Sequence, residues 1–123
     1  MLDYDALAVE LQKLRENVNG VTDTVIAASD GIPIVADVAK NVDPSHISAL
    51  AAADLGIARQ AAEVIGLGTL SQTVVFGSGG YMAVYAIGRM SLMVTLGDKG
   101  LNLGRLLYES RPVIERVGSI LAS

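Results

Sequence analysis

Residues 64–88 read VIGLGTLSQTVVFGSGGYMAVYAIG, a run of 25 residues between Glu63 and Arg89 without a charged side chain. Its length alone is that of a membrane-spanning helix. Its interior says otherwise. Ser71-Gln72-Thr73 and Gly77-Ser78-Gly79-Gly80 interrupt it, and β-branched residues cluster between these breaks. Two strands around a glycine turn fit that pattern, Leu70–Phe76 and Tyr81–Ile87. A third strand, Met90–Leu96, follows after Gly88-Arg89 and ends at Gly97-Asp98-Lys99-Gly100. Short connections of this kind imply an antiparallel meander.

Upstream, Leu7, Leu11, Leu14 and Val18 fall at spacings that place them on one stripe of a helix. Asp3 is its expected N-cap and Gly20 its stop. Val21–Ala28 and Ile32–Val38 read as strands joined at Ser29-Asp30-Gly31, with Pro33 confined to a strand start or an edge. Asp43-Pro44 opens a second helix running to about Ile65, before Gly66 and Gly68. Its apolar arc is read as Ile47, Leu50, Ala51, Leu55, Ile57, Ala58, Ala62 and Ile65, and Asp54 falls within it. A buried carboxylate there needs a partner, a backbone amide or an arginine, unless the wheel places it slightly wrongly. The last helix runs from about Leu103 to Leu121 with Asn102 as N-cap, and Pro112 is expected to kink it near Tyr108. The predicted order is helix, two strands, helix, three strands, helix. It defines an α+β fold in which one five-stranded antiparallel sheet carries helices on it, a single domain over 1–123.

Composition excludes several chemistries. The 123 residues carry no cysteine, one histidine and a net charge of −4. Disulfides, thiolate metal sites and histidine clusters are therefore absent. No basic block or stacking surface serves a nucleic acid. The acidic Met1–Asp5 segment is no signal peptide, so a cytoplasmic location is expected, with no membrane insertion. Gly77-Ser78-Gly79-Gly80 precedes a strand rather than a helix, and reads as a hairpin turn rather than a phosphate loop. Gly97–Gly104 reads as a strand-to-helix turn. His46 has no catalytic companion, and Arg59, Arg89, Arg105, Arg111 and Arg116 are scattered as surface residues. No acid–base pair, nucleophile, cofactor site or metal set is visible, so no enzyme activity is expected.

What the sequence favours is association. Hydrophobic residues form 51% of the chain and charged ones 18%, which leaves few charges to cover a small surface. On the second helix Ala49, Ala52, Ala53 and Gly56 form a strip of small residues, with Arg59, Gln60 and Glu63 beyond them. Such a strip admits another helix closely. The uncharged strands, with Ser71, Thr73 and Val75 on the first, invite pairing with a second copy if either lies at a sheet edge.

The element order together with Gly20, Ser29-Asp30-Gly31-Ile32-Pro33-Ile34, the alanine-rich second helix and Leu101-Asn102-Leu103-Gly104 resembles the Roadblock/dynein light-chain family across nearly the whole chain. Stand-alone bacterial members, encoded beside a small GTPase and a sensor-kinase-like protein, are the most similar type. The resemblance implies homodimers built by strand pairing and partnership with Ras-like small GTPases. It implies a regulatory or scaffolding role in signalling and carries over no catalytic residue. Pro112 departs from the uninterrupted last helix of the family. A passive scaffold for a sensor-kinase-like or motor complex, and a small-molecule sensor, are the alternative readings.

Overall fold

The computed structural model describes residues 1–123. The elements are α1 (Tyr4–Asn17), β1 (Val21–Ala28), β2 (Pro33–Asp37), α2 (Pro44–Ile65), β3 (Gln72–Gly77), β4 (Gly80–Ile87), β5 (Ser91–Asp98) and α3 (Leu103–Ala122). The expected order and fold class are both present.

Local chemistry sets the boundaries. The Asp3 carboxylate accepts from the Ala6 amide at 3.0 Å and starts α1. Asp43 accepts from Ser45 at 3.0 Å, with Pro44 at the first helical position of α2. Gly66, at φ +78°, closes α2 in the left-handed conformation. Asn102 accepts from Arg105 at 3.1 Å and starts α3.

The five strands form one antiparallel sheet in the order β2-β1-β5-β4-β3. The long β3–β4–β5 meander supplies one half and the β1–β2 hairpin the other, joined through β1 and β5. The hairpin register shifts between Ile26 and Ala27, and Pro33 lies on the outer strand as its missing donor requires.

Alternation along the strands builds two cores. Ile26, Ala83, Tyr85, Ile87 and Met93 face α1 and α3, meeting Leu7, Leu11, Leu14, Leu106, Val113 and Val117. Val25, Ala27, Val84, Leu92 and Val94 face α2, which supplies Ala51 and Leu55. One side of the sheet thus carries two helices and the other carries one. An ion pair between Arg116 Nε and the buried Glu10, 2.7 Å apart, ties α3 to α1. No helix is long and apolar enough to cross a membrane. The uncharged stretch of 64–88 is divided among the end of α2, a loop, β3 and β4.

The last helix runs as one element through Pro112, from Leu103 to Ala122. Pro112 and Tyr108 are both exposed, so the Tyr108 carbonyl that loses its amide donor faces water rather than the core.

Candidate functional site: the outer face of α2 and the edge of β3

The single helix α2 is anchored on the sheet by its small side. Ser48, Ala51, Leu55 and Ala62 are buried there. The Ser48 hydroxyl donates back to the Pro44 carbonyl at 2.7 Å, so its polarity is satisfied within the helix. Gly31, at φ +91° in the β1–β2 turn, lies so close to α2 that a β-carbon there would sit 3.1 Å from the Ala49 Cα. The connection into the helix is held by Asp23, whose Oδ1 accepts from the Ala39 amide at 2.8 Å.

This seating corrects the apolar arc read from the sequence. Leu50, Ile57 and Ile65, expected in the core, are 54%, 70% and 68% exposed. The sheet takes Ser48, Ala51, Leu55 and Ala62, whose mostly small side chains let the helix axis come close, and Leu50, Ile57 and Ile65 are turned outward. Leu50, Ile57 and Val64 then repeat every seventh residue along the outer face, with Ala53 and Gln60 between them. That is the spacing of a helix–helix seam. Composition had drawn attention to the small residues alone. The seven-residue recurrence of Leu50, Ile57 and Val64 was the signal that locates this stripe.

The proposed contact residues divide accordingly. Ala49, Ala53, Gly56, Gln60 and Glu63 are exposed. Gly56 is free of neighbours, with nothing within 4 Å of the position its β-carbon would take. Ala52 and Arg59 do not join them. Both are half-buried, Ala52 packs against the α2-side core, and the Arg59 Nη2 donates to the Gly88 carbonyl at 3.0 Å. Part of the small-residue strip is therefore accounted for within the chain.

Of the two uncharged strands, β3 is an edge and β4 is interior. Over Gln72–Gly77 one side of β3 bonds β4 and the other has no strand beside it. Thr73 and Val75 lie opposite Val84 and Met82, both on the α2 side of the sheet, and Ser71 continues that row. Phe76 lies on the other side, 66% exposed and edge-on to Tyr81 with ring centroids 5.2 Å apart. The opposite edge, β2, carries Pro33 and the ion-paired Asp37, features that discourage pairing.

Asp54 has no partner of the kind the sequence reading required. It is half-buried on α2, and its Oδ2 is enclosed without a hydrogen bond. Burial raises its pKa above the ordinary aspartate value. His46 is exposed in the first turn of α2. No group of three or more histidine, aspartate or glutamate side chains is arranged to hold a metal ion.

An antiparallel sheet with one open uncharged edge, flanked by a helix with an apolar outer stripe, defines an α+β domain with an uncovered edge and an uncovered helix face. The Roadblock/LC7 domain model matches residues 7–96, and the chain belongs to that family. It is similar to MJ1340 of Methanocaldococcus jannaschii, with 29% identity over 113 residues covering 92% of this chain and 95% of that protein. Among solved structures it resembles a Roadblock/LC7 domain from Streptomyces avermitilis, with a TM-score of 0.87 and 22% identity over 94% of this chain and 97% of that one. It also resembles Myxococcus xanthus MglB, with a TM-score of 0.88 and 15% identity over 98% of this chain and 90% of that one.

Proposed function

We propose that this protein is a homodimeric regulator that binds a Ras-like small GTPase and biases its nucleotide state or its location in the cytoplasm. One observation carries the reading: the exposed stripe Leu50–Ile57–Val64 lies on the same side of the sheet as the open, uncharged edge of β3. A monomer in water gains nothing from leaving both uncovered. Strand pairing between two β3 edges continues the sheet across a two-fold axis, and the α2 helices then meet or stand side by side on one face. Ala53 and Gly56 permit a close approach there. The polar end of the helix, Gln60 and Glu63, is offered to a further partner. Membership of the family, with the GTPase partnership that the resemblance implies, supports a Ras-like GTPase as that partner.

Two measurements test it. Light scattering should return the mass of a dimer, and Gly56→Arg should return a monomer that remains folded, because the position is open within the chain. Tagged protein should then capture a Ras-like GTPase from native lysate more strongly with either a GTP analogue or GDP. A captured GTPase whose hydrolysis and exchange rates stay unchanged would make the protein a passive scaffold. Capture of a sensor-kinase-like protein alone would move the partnership away from the GTPase.

A further inference from the structure

At the end of the molecule where α2 stops there is a groove of about 400 Å³ whose character differs from the outer face of the helix. Arg59 and Glu63 line it from α2, Gly68 and Thr69 from the following loop, and Gly88 and Arg89 from the β4–β5 turn. Only one of its seven lining residues is hydrophobic. In a chain of net charge −4, two arginines are among the residues that line this one groove.

Neither guanidinium is neutralised. The two ion pairs of the structure, Arg15–Asp37 and Arg116–Glu10, lie elsewhere. Glu63 lines the same groove yet pairs with neither arginine. Arg59 is held against the wall by its bond to the Gly88 carbonyl at 3.0 Å, which uses one of its donors and directs the group without satisfying it. The amides of Gly68, Thr69 and Leu70 donate to no backbone carbonyl. Gly68 and Gly88 adopt φ of +85° and +59°, and nothing stands within 4 Å of a β-carbon position at either, so the floor is open backbone.

Two arginines, a threonine and loop amides without a backbone acceptor, all from residues that line one groove, supply the donor types that a tetrahedral oxyanion takes. No aromatic ring lines the groove, so nothing is offered to a nucleobase. We infer that this groove binds a phosphate group, carried by a soluble diphosphate compound or by a lipid headgroup. Glu63 and the carbonyl end of α2 oppose an anion, so the affinity is modest, with a Kd of about 0.1–1 mM at low salt. This assignment does not require the dimer or GTPase reading, although Glu63 is common to both, and it gives Arg59 and Arg89 a role that scattered surface arginines lack.

The test uses the full chain and two probes. Calorimetric titration with inorganic pyrophosphate at low ionic strength measures the soluble source. Co-sedimentation with phosphatidylinositol-phosphate vesicles, against phosphatidylcholine vesicles, measures the lipid source. Binding to either probe is expected to weaken about tenfold in Arg89→Gln, whose side chain makes no bond in the fold, and to tighten in Glu63→Gln. Arg111→Gln serves as an exposed control and should bind as the parent does. No binding of either probe at about 5 mM phosphate, or equal binding by Arg89→Gln, would overturn the assignment.

Discussion

Gly20 shows how much one backbone position decides. It stands at φ +97° between α1 and β1, and its carbonyl accepts from the Asp98 amide at 2.9 Å. A β-carbon there would lie 2.8 Å from the Leu101 Cα. Gly20→Ala therefore carries both a left-handed backbone penalty and a backbone clash. The expected loss is about 2–3 kcal/mol, measured as a lower urea midpoint with an unchanged slope. Asp54 makes a different point. Its pKa is raised by burial, so the folded state holds its proton more tightly than the unfolded state does. Below the unfolded value of about 3.9 the side chain is neutral in both states, and no charge has to be buried on folding. As pH rises from there through the raised folded value, stability is lost. Asp54→Asn should remove that slope and be the more stable protein at neutral pH. Urea midpoints of the two proteins that stay equally separated from about pH 3 to pH 7 would count against this account.

Among the elements, α3 tests whether a helix-breaking residue breaks anything. Pro112 leaves the Tyr108 carbonyl without its helical donor, and both residues lie on the wet side. That exposure opens the carbonyl to solvent in place of the missing amide, while Val113 and Val117 keep the helix on the core and Arg116 ties it to Glu10. The proline still costs helical free energy. Pro112→Ala should stabilise the protein by about 1–3 kcal/mol, visible as a higher melting temperature, with the oligomeric state unchanged. Element α2 illustrates the opposite case, in which the sequence pattern admits two seatings. Apolar residues cover more than half of its circumference, so an amphipathic reading cannot by itself say which part the sheet takes. Close approach at Ser48, Ala51 and Gly31 decides it.

For the whole molecule, the sheet has two unequal faces and two unequal edges. One face is closed by α1 and α3 and the other carries α2 alone. One edge is guarded by Pro33 and Asp37 and the other is bare. Association through the bare edge and the α2 stripe makes a specific demand of Ile57, which is 70% exposed and contributes little to the fold of one chain. Ile57→Asp should convert a dimer to monomers by light scattering and abolish any dependence of melting temperature on protein concentration. The far-ultraviolet circular dichroism of the variant should match that of the parent. A variant that stays dimeric would place the interface on another surface.

The element order was legible in the chain because its markers are local. Asp3, Asp43-Pro44, Asn102 and the glycines at 20 and 66 act within a turn of where they stand. The alternation of strand residues likewise fixes two faces without reference to anything distant. The meander of β3, β4 and β5 follows from its short glycine connections. The lack of charge on β3 and β4 was also within reach, since it is a compositional fact. The tertiary structure alone decided which strand became the edge, since strand order depends on β1 pairing with β5, about 70 residues apart in sequence. It alone turned Leu50 and Ile57 outward and Ala52 and Arg59 inward, because only the depth of the α2 seat on the sheet distinguishes one apolar side from another. It also brought Arg59 and Arg89 to one groove, as the end of a helix and a hairpin turn meet only when the sheet between them is formed.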